Sequence, residues 1–354
     1  MVHATPLSVS LLALPETTTG TLYSLHEVLA AAGVAWHALT SEGGGEALMT
    51  PRIVSRDGRS FLSPCGPLIV PQAQLSDIAH SDIVVVSDLQ LSSHATLHGR
   101  WPEEIAWCRQ QYEGDALLCS VCTGSILFAA AGLLDGLEAT SHWAARDLIK
   151  CHFPRVKLLP DRVLVVTGED GRIITSGGAS SWQDLALYLI SRCCGAEEAV
   201  RIAKIFLLKE HAEGQLPYTA MRRVPNHGDA VVARCQAWLA DHYDEPHPVA
   251  CMVRHSGLHQ RTFKRRFLIA TGYSPMAYVQ TLRIEEAKQL LETTNLTIDE
   301  IAGQVGYEDG AFFRRLFKRT TGLTPARYRQ RFQSIGKRRN FGLDAAREQE
   351  ALQS

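Results

Sequence analysis

Arg261-Thr-Phe-Lys-Arg-Arg-Phe-Leu-Ile-Ala-Thr-Gly-Tyr-Ser-Pro-Met-Ala-Tyr-Val-Gln280 lies over Ala311-Phe-Phe-Arg-Arg-Leu-Phe-Lys-Arg-Thr-Thr-Gly-Leu-Thr-Pro-Ala-Arg-Tyr-Arg-Gln330 at an offset of 50 residues. Phe263/Phe313, Arg265/Arg315, Phe267/Phe317, Thr271/Thr321, Gly272/Gly322, Pro275/Pro325, Tyr278/Tyr328 and Gln280/Gln330 are identical, and Lys264/Arg314 and Ser274/Thr324 are conservative. A match of this density marks one supersecondary unit used twice.

In each copy the two phenylalanines fall four apart and share one helix face, while Lys264-Arg265 and Arg314-Arg315 project from the sides. Gly272 and Gly322 suit helix ends, and Ser274-Pro275 and Thr324-Pro325 supply an N-cap followed by proline in the first turn. A shorter apolar helix is predicted upstream of each, over 249–255 and 298–305, closed by Gly257 or Gly306. Helix, glycine turn and basic helix make a helix-turn-helix, whose second helix enters the DNA major groove. Between the copies, 275–293 reads as one helix with Tyr278, Leu282, Ala287, Leu290 and Leu291 as its buried stripe. Its length of about 28 Å holds the two readers close to one turn of B-DNA, about 34 Å.

Charge follows the same division. Residues 1–228 hold 17 Lys+Arg against 23 Asp+Glu, whereas 229–339 hold 18 against 11, a balance of +7 on a chain of net −1. Concentrated Lys and Arg are what a polyanion-binding module needs. The 354 residues, 45% hydrophobic and 21% charged, exclude disorder as the main state and suggest two domains. No stretch is long and apolar enough to span a bilayer, and no Lys or Arg precedes the apolar run 7–14, so neither a membrane span nor secretion is expected. Nine cysteines, an odd number lying mostly in apolar stretches, read as thiols in a reducing cytoplasm, with Cys119-Ser-Val-Cys122 not set in a redox or zinc pattern.

Residues 229–335 resemble the AraC/XylS family of transcriptional regulators. Ser256-Gly-Leu-His-Gln-Arg-Thr-Phe-Lys-Arg-Arg-Phe267 is similar to that family's first reader, and Ile301-Ala-Gly-Gln-Val-Gly-Tyr-Glu-Asp-Gly-Ala-Phe-Phe-Arg-Arg-Leu-Phe-Lys318 to its second. The resemblance implies that base edges are touched from helices 259–270 and 309–320, by Arg261, Lys264 and Arg265 in the first and Ala311, Arg314 and Arg315 in the second. Arginine reads guanine through two hydrogen bonds, and a small residue such as Ala311 touches a thymine methyl or makes room. Each arginine has the alternative of clamping a phosphate, which positions without specifying. Phe263, Phe267, Phe313 and Phe317 are expected in the core.

Upstream, β-rich runs at 7–14, 34–39, 83–86, 117–121 and 163–167 alternate with helical stretches such as 22–32, arguing for a mainly parallel sheet flanked by helices. In Ala116-Leu-Leu-Cys-Ser-Val-Cys-Thr-Gly-Ser-Ile-Leu-Phe-Ala-Ala-Ala-Gly132 a strand ends at Val121 and a helix starts after Gly124. Cys122 therefore sits in a sharp strand-to-helix elbow, where backbone N–H groups and the helix dipole favour a thiolate.

With Gly132-Leu-Leu-Asp-Gly136, Ala139-Thr-Ser-His-Trp143, Thr175-Ser-Gly-Gly-Ala179 and Asp184, this stretch resembles the PfpI-like branch of the class I glutamine amidotransferase-like superfamily. Its union with an AraC-type reader is similar to the GlxA group of regulators. The resemblance implies a flavodoxin-like parallel-sheet sandwich followed by an all-α domain, Cys122 at the nucleophile position, His142 as its imidazole, and Thr123 beside them. Two departures bear on chemistry. Thr21 aligns with the usual acid, leaving Glu16 as a substitute, and Val86-Ser-Asp-Leu-Gln-Leu91 stands where a Gly-Gly oxyanion turn is usual. Without acid and oxyanion turn, stabilisation worth several kcal/mol is missing, so Cys122, Thr123, His142 and Glu16 are read as a sensor pocket. A structural thiol or a working nucleophile remain the other roles for Cys122.

The expectation is an α/β sensor and dimerisation domain over 1–195, a helical connector and linker over 196–228 with a helix at 197–211, a tandem helix-turn-helix domain over 229–335 and a polar tail over 336–354. It describes a cytoplasmic, homodimeric transcriptional regulator, not an enzyme, with promoter DNA, a small-molecule effector and RNA polymerase as partners and neither cofactor nor metal. The competing class is a cysteine-dependent amidase or hydratase with a DNA-binding tail.

Overall fold

Apolar residues at both parities of a strand call for helices on both sheet faces, and the computed structural model has that arrangement. It describes residues 5–40, 45–92, 96–221 and 227–337. Two units, Met1–Gln215 and Leu216–Ser354, are each compact.

In the first unit, strands β1 (Leu7–Leu12), β2 (Met49–Ser55), β5 (Ala73–Gln74), β6 (Ile83–Val86), β7 (Leu117–Val121), β10 (Leu164–Thr167) and β11 (Ile173–Ser176) form one sheet in the order β10-β11-β7-β6-β1-β2-β5. All neighbours are parallel except β10 with β11. Two short ladders stand apart, β3 (Phe61–Leu62) with β4 (Leu68–Ile69) and β8 (Glu138–Ala139) with β9 (Lys157–Leu158). Val9, Leu11, Ile83, Val85, Cys119 and Val121 face a core shared with α1 (Thr19–Ala30), α6 (Trp182–Cys194) and α7 (Ala196–Phe206). The alternate residues Leu12, Val84, Val86 and Leu118 face the other core, with α3 (Pro102–Glu113), α4 (Ser125–Ala130) and α5 (Arg146–His152).

Two expectations are corrected. The run 34–39 is not a strand: α2 (Ala35–Thr40) is a helix, which suits its alanines, and it starts just after Gly33 at φ 83°. The strand pairing with β1 is β2, whose Pro51 hides it from a pattern reading. Because β5 pairs only with Val54 and Ser55, Pro51 sits where β2 is the sheet edge and its missing N–H costs no ladder bond. The helix expected at 197–211 ends at Phe206 and buries Ala199 and Ile202 in the first core, so it is not linker-like.

In the second unit, α8 (Ala230–Ala240), α9 (Pro248–Ser256), α10 (Gln260–Thr271), α11 (Pro275–Thr293), α12 (Ile298–Gln304), α13 (Gly310–Thr321) and α14 (Pro325–Lys337) alternate with short turns. Gly257, Gly272, Gly306 and Gly322 follow helix ends at φ of 65°, 76°, 83° and 76°, a region where a side chain would strain the backbone. Phe263 and Phe267 fill one small core and Phe313 and Phe317 a second, all four fully buried, with α11 contributing to both. The tail over 336–354 falls, from 338 onward, outside the described residues. Among the described residues no helix is long and apolar enough to cross a membrane.

Candidate functional sites: the cysteine elbow and the reader helices

β7 ends at Val121 and the chain turns at once into α4, which forces Cys122 to φ 57°. A β-carbon on Gly124 would lie 2.4 Å from Val86 O and 2.6 Å from Ser87 O, so glycine is what lets the elbow press against the end of β6. Thr123 locks that contact, its Oγ1 accepting from Leu89 N at 2.8 Å and donating to Leu89 O at 2.6 Å. The hydroxyls of Ser125 and Ser141 donate to Cys122 O at 3.2 and 3.0 Å.

The thiol is 6% exposed, and burial, reinforced by the nearby Asp88 carboxylate, pushes it up to about 12. Desolvation and a like charge oppose the thiolate expected from the helix N-terminus and outweigh the backbone N–H of Thr123. Burial also holds the His142 imidazole below its usual range, with Asp88 opposing the shift. His142 Nδ1 accepts from Ala144 N at 3.1 Å, capping a short helical turn. Both shifts disfavour the thiolate–imidazolium pair that nucleophilic cysteine chemistry uses.

An acid does stand near Cys122, but it comes from the loop after β6. Asp88 is 8% exposed; one carboxylate oxygen accepts from Thr18 Oγ1 and the other, Oδ1, has no partner among the described residues. Ser87 Oγ and Ser120 Oγ are likewise buried without partners among the described residues. Glu16, the expected substitute acid, is engaged elsewhere, pairing with Arg100 at 2.9 Å and accepting from Trp101 Nε1 at 3.3 Å. Sequence reading missed Asp88 although it lay in the quoted 86–91 turn, because only the parallel neighbours β6 and β7 bring it beside Cys122.

Gln215 was also missed. Buried, it donates from Nε2 to Ser141 O at 2.8 Å and Arg162 O at 2.9 Å and accepts from Trp143 N at 3.2 Å, holding the segment that carries His142. Asp184 accepts from His211 N and meets His211 Nδ1, both at 2.7 Å, tying the chain after α7 back onto α6. Among the described residues no cluster of three or more His, Cys, Asp or Glu could hold a metal.

On the second unit, Arg261, Lys264 and Arg265 are exposed along α10, and Ala311, Arg314 and Arg315 along α13. The neighbouring Arg266 points back to Asp229, with two bonds of 2.8 Å. Asp229 also caps α8 through Val231 N and Val232 N, so one carboxylate fixes α10 to α8. Asp309 caps α13 by accepting from Ala311 N at 2.8 Å and Phe312 N at 3.0 Å. Arg261, Lys264, Arg265 and Arg315 make no salt bridge among the described residues, whereas Arg314 Nη2 donates to Asp299 Oδ1 at 2.7 Å. A face of unpaired cations suits phosphates and guanine edges.

Comparison with known proteins agrees unit by unit. Residues 34–192 match the DJ-1/PfpI family and 252–331 match a helix-turn-helix domain family. The chain is 27% identical over 332 residues to the HTH-type transcriptional regulator GbdR of Pseudomonas aeruginosa, covering 92% of this chain and 84% of that one. It is 29% identical over 213 residues to the HTH-type transcriptional regulator GlxA of Rhizobium meliloti, covering 60% and 64%. A shorter match, 37% identity over 97 residues, covers 27% of this chain and 40% of the isonitrile hydratase of Pseudomonas putida. With the duplicated readers on the second unit and the cysteine elbow on the first, these likenesses make the chain a DNA-binding transcriptional regulator in which a stretch similar to the DJ-1/PfpI family precedes a helix-turn-helix domain similar to those of AraC-type regulators.

Proposed function

We propose that residues 1–195, with the chain to Gln215 packed on them, sense a small molecule and mediate self-association, and thereby control promoter binding by 229–335, the remainder of 196–228 serving as the connection. The observation that carries the reading is the geometry of the elbow: Cys122 is buried beside Asp88, whose Oδ1 has no protein partner among the described residues, and burial pushes the thiol up, away from a thiolate. Unpartnered acceptors in a buried site are supplied with donors by a ligand or by water. A metabolite bearing a hydrogen-bond donor would satisfy Asp88 Oδ1, with Cys122, Thr123 and His142 nearby. Glu16 supports the wall through Arg100 and Trp101 rather than touching the ligand.

On this reading the domain is not an enzyme. The second reading, a cysteine-dependent hydratase or amidase, draws on Asp88 standing near Cys122 and on the stretch similar to an isonitrile hydratase. The regulator acts as a homodimer in the cytoplasm, with RNA polymerase as its partner at the promoter; nine free thiols suit a reducing compartment. Arg261, Lys264, Arg265, Ala311, Arg314 and Arg315 are assigned to base edges, supported by their exposure.

Alkylation of the full chain by iodoacetamide at pH 8, followed by peptide mass spectrometry, separates sensor from enzyme. At that pH a thiol titrating near 12 is thiolate about one time in ten thousand. Cys65 and Cys151, both exposed, should be modified first and Cys122 should stay free. Preferential modification of Cys122, or turnover of an amide, nitrile or isonitrile that Cys122→Ala abolishes, would put the enzyme first.

A further inference from the structure

The two readers are copies, so a difference between equivalent positions isolates what each was altered to do. At the 50-residue offset, Lys264 and Gln260 of the first unit correspond to Arg314 and Gly310 of the second, and because the closing glycines Gly257 and Gly306 lie 49 apart, Ala250 of the first helix corresponds to Asp299. Only the second unit therefore has a carboxylate at this point of its first helix, and there Asp299 Oδ1 accepts from Arg314 Nη2 at 2.7 Å. Gly310 makes the approach possible. A β-carbon at 310 would lie 2.5 Å from that same Asp299 Oδ1, so any other residue displaces the carboxylate.

The contact has little value for the fold. Both side chains are well exposed, 70% for Asp299 and 46% for Arg314, and exposed ion pairs add little to stability. It also sets a negative charge on a helix pair meant for a polyanion, which weakens general attraction to phosphates. What it can do is orient. One of five guanidinium N–H groups is used, the plane of the fork is held, and the remaining N–H groups keep a defined direction. Bidentate reading of guanine needs that definition, whereas a phosphate clamp does not.

We propose that Asp299, admitted by Gly310, is a positioning residue that holds Arg314 for base reading and so makes the second reader the more selective of the two at its matched position. The proposal rests on Arg314 touching a base edge, and the experiment separates the two claims. Full-length protein, wild type and the variants Arg314→Ala, Asp299→Ala and Gly310→Ala, is put through selection on randomised operators and through binding to random-sequence DNA at one salt concentration.

Arg314→Ala should flatten preference at one base pair. Asp299→Ala and Gly310→Ala should each reduce preference at that same base pair by about tenfold, within the range one bidentate contact supplies. Affinity of Asp299→Ala for random DNA should hold or rise, because a negative charge is lost; a structural defect would lower it. If Asp299→Ala keeps the wild-type preference at the Arg314 position, or weakens every sequence alike, the positioning role is refuted while base reading by Arg314 stands. If Arg314→Ala weakens all sequences alike, Arg314 is a phosphate clamp and both claims fall.

Discussion

Arg283 lies midway along the helix joining the two readers, 8% exposed, and its guanidinium serves three backbone carbonyls. Nε donates to Tyr243 O at 2.6 Å, Nη1 to Gly306 O at 2.8 Å and Nη2 to Glu245 O at 2.9 Å, with the Tyr307 ring 5.1 Å away. Gly306 is the turn of the second helix-turn-helix, and a β-carbon there would lie 2.5 Å from Asp244 O and 2.7 Å from Arg283 Nη2. Arg283→Met keeps the aliphatic stem and removes every donor. Hydrogen bonds from a charged group contribute about 1.5 to 3 kcal/mol each, so three total roughly 5 to 9 kcal/mol. Relief of the desolvation of a buried charge returns several kcal/mol of this, leaving a loss of about 3 kcal/mol. The fragment 216–354 carries Trp238 as its lone tryptophan, and its urea unfolding can be followed by fluorescence. With a slope of about 1 to 3 kcal/mol/M, the midpoint should fall by about 1 to 3 M. A midpoint within about 0.3 M of wild type would refute the claim that this arginine holds the second turn in place.

The clasp between Asp229 and Arg266 gives a pH dependence of defined sign. Hydrogen bonding from Arg266 holds the Asp229 carboxyl down to about 2, so its stabilisation is present above the unfolded value of about 3.9 and is lost as pH falls toward 2. The fragment's unfolding midpoint should drop more between pH 5 and 3 for wild type than for Asp229→Asn; equal drops would show that the pair contributes nothing. In the first unit, Gly124→Ala forces a methyl against the Val86 and Ser87 carbonyls, and overpacking against backbone should cost roughly 2 kcal/mol or more. Thermal unfolding of the full chain should show the first unit's transition lowered and the second's unchanged; an unshifted first transition would mean the elbow has slack.

What the sequence alone determined here is what local physics controls. Phenylalanines four apart, Gly272 and Gly322 at helix ends and prolines at 275 and 325 dictate helix faces, stops and starts within a few residues of themselves, and the duplication shows them twice. The 116–132 stretch likewise carries its own strand, elbow and helix. Tertiary structure decided the rest. Pro51 looks like a strand breaker until β5 is seen to pair only with Val54 and Ser55, which leaves the outer side of β2 open at Pro51, and 34–39 looks like a strand but folds as the helix α2. Arg314 became distinct from Arg315 only when Asp299, fifteen residues away, was found on it. The charge on Cys122 depends on the depth of its burial and on Asp88, which comes from another strand's end. Desolvation and Coulomb energy are set by distances through space, and the order of residues along the chain does not contain those distances until the sheet has assembled.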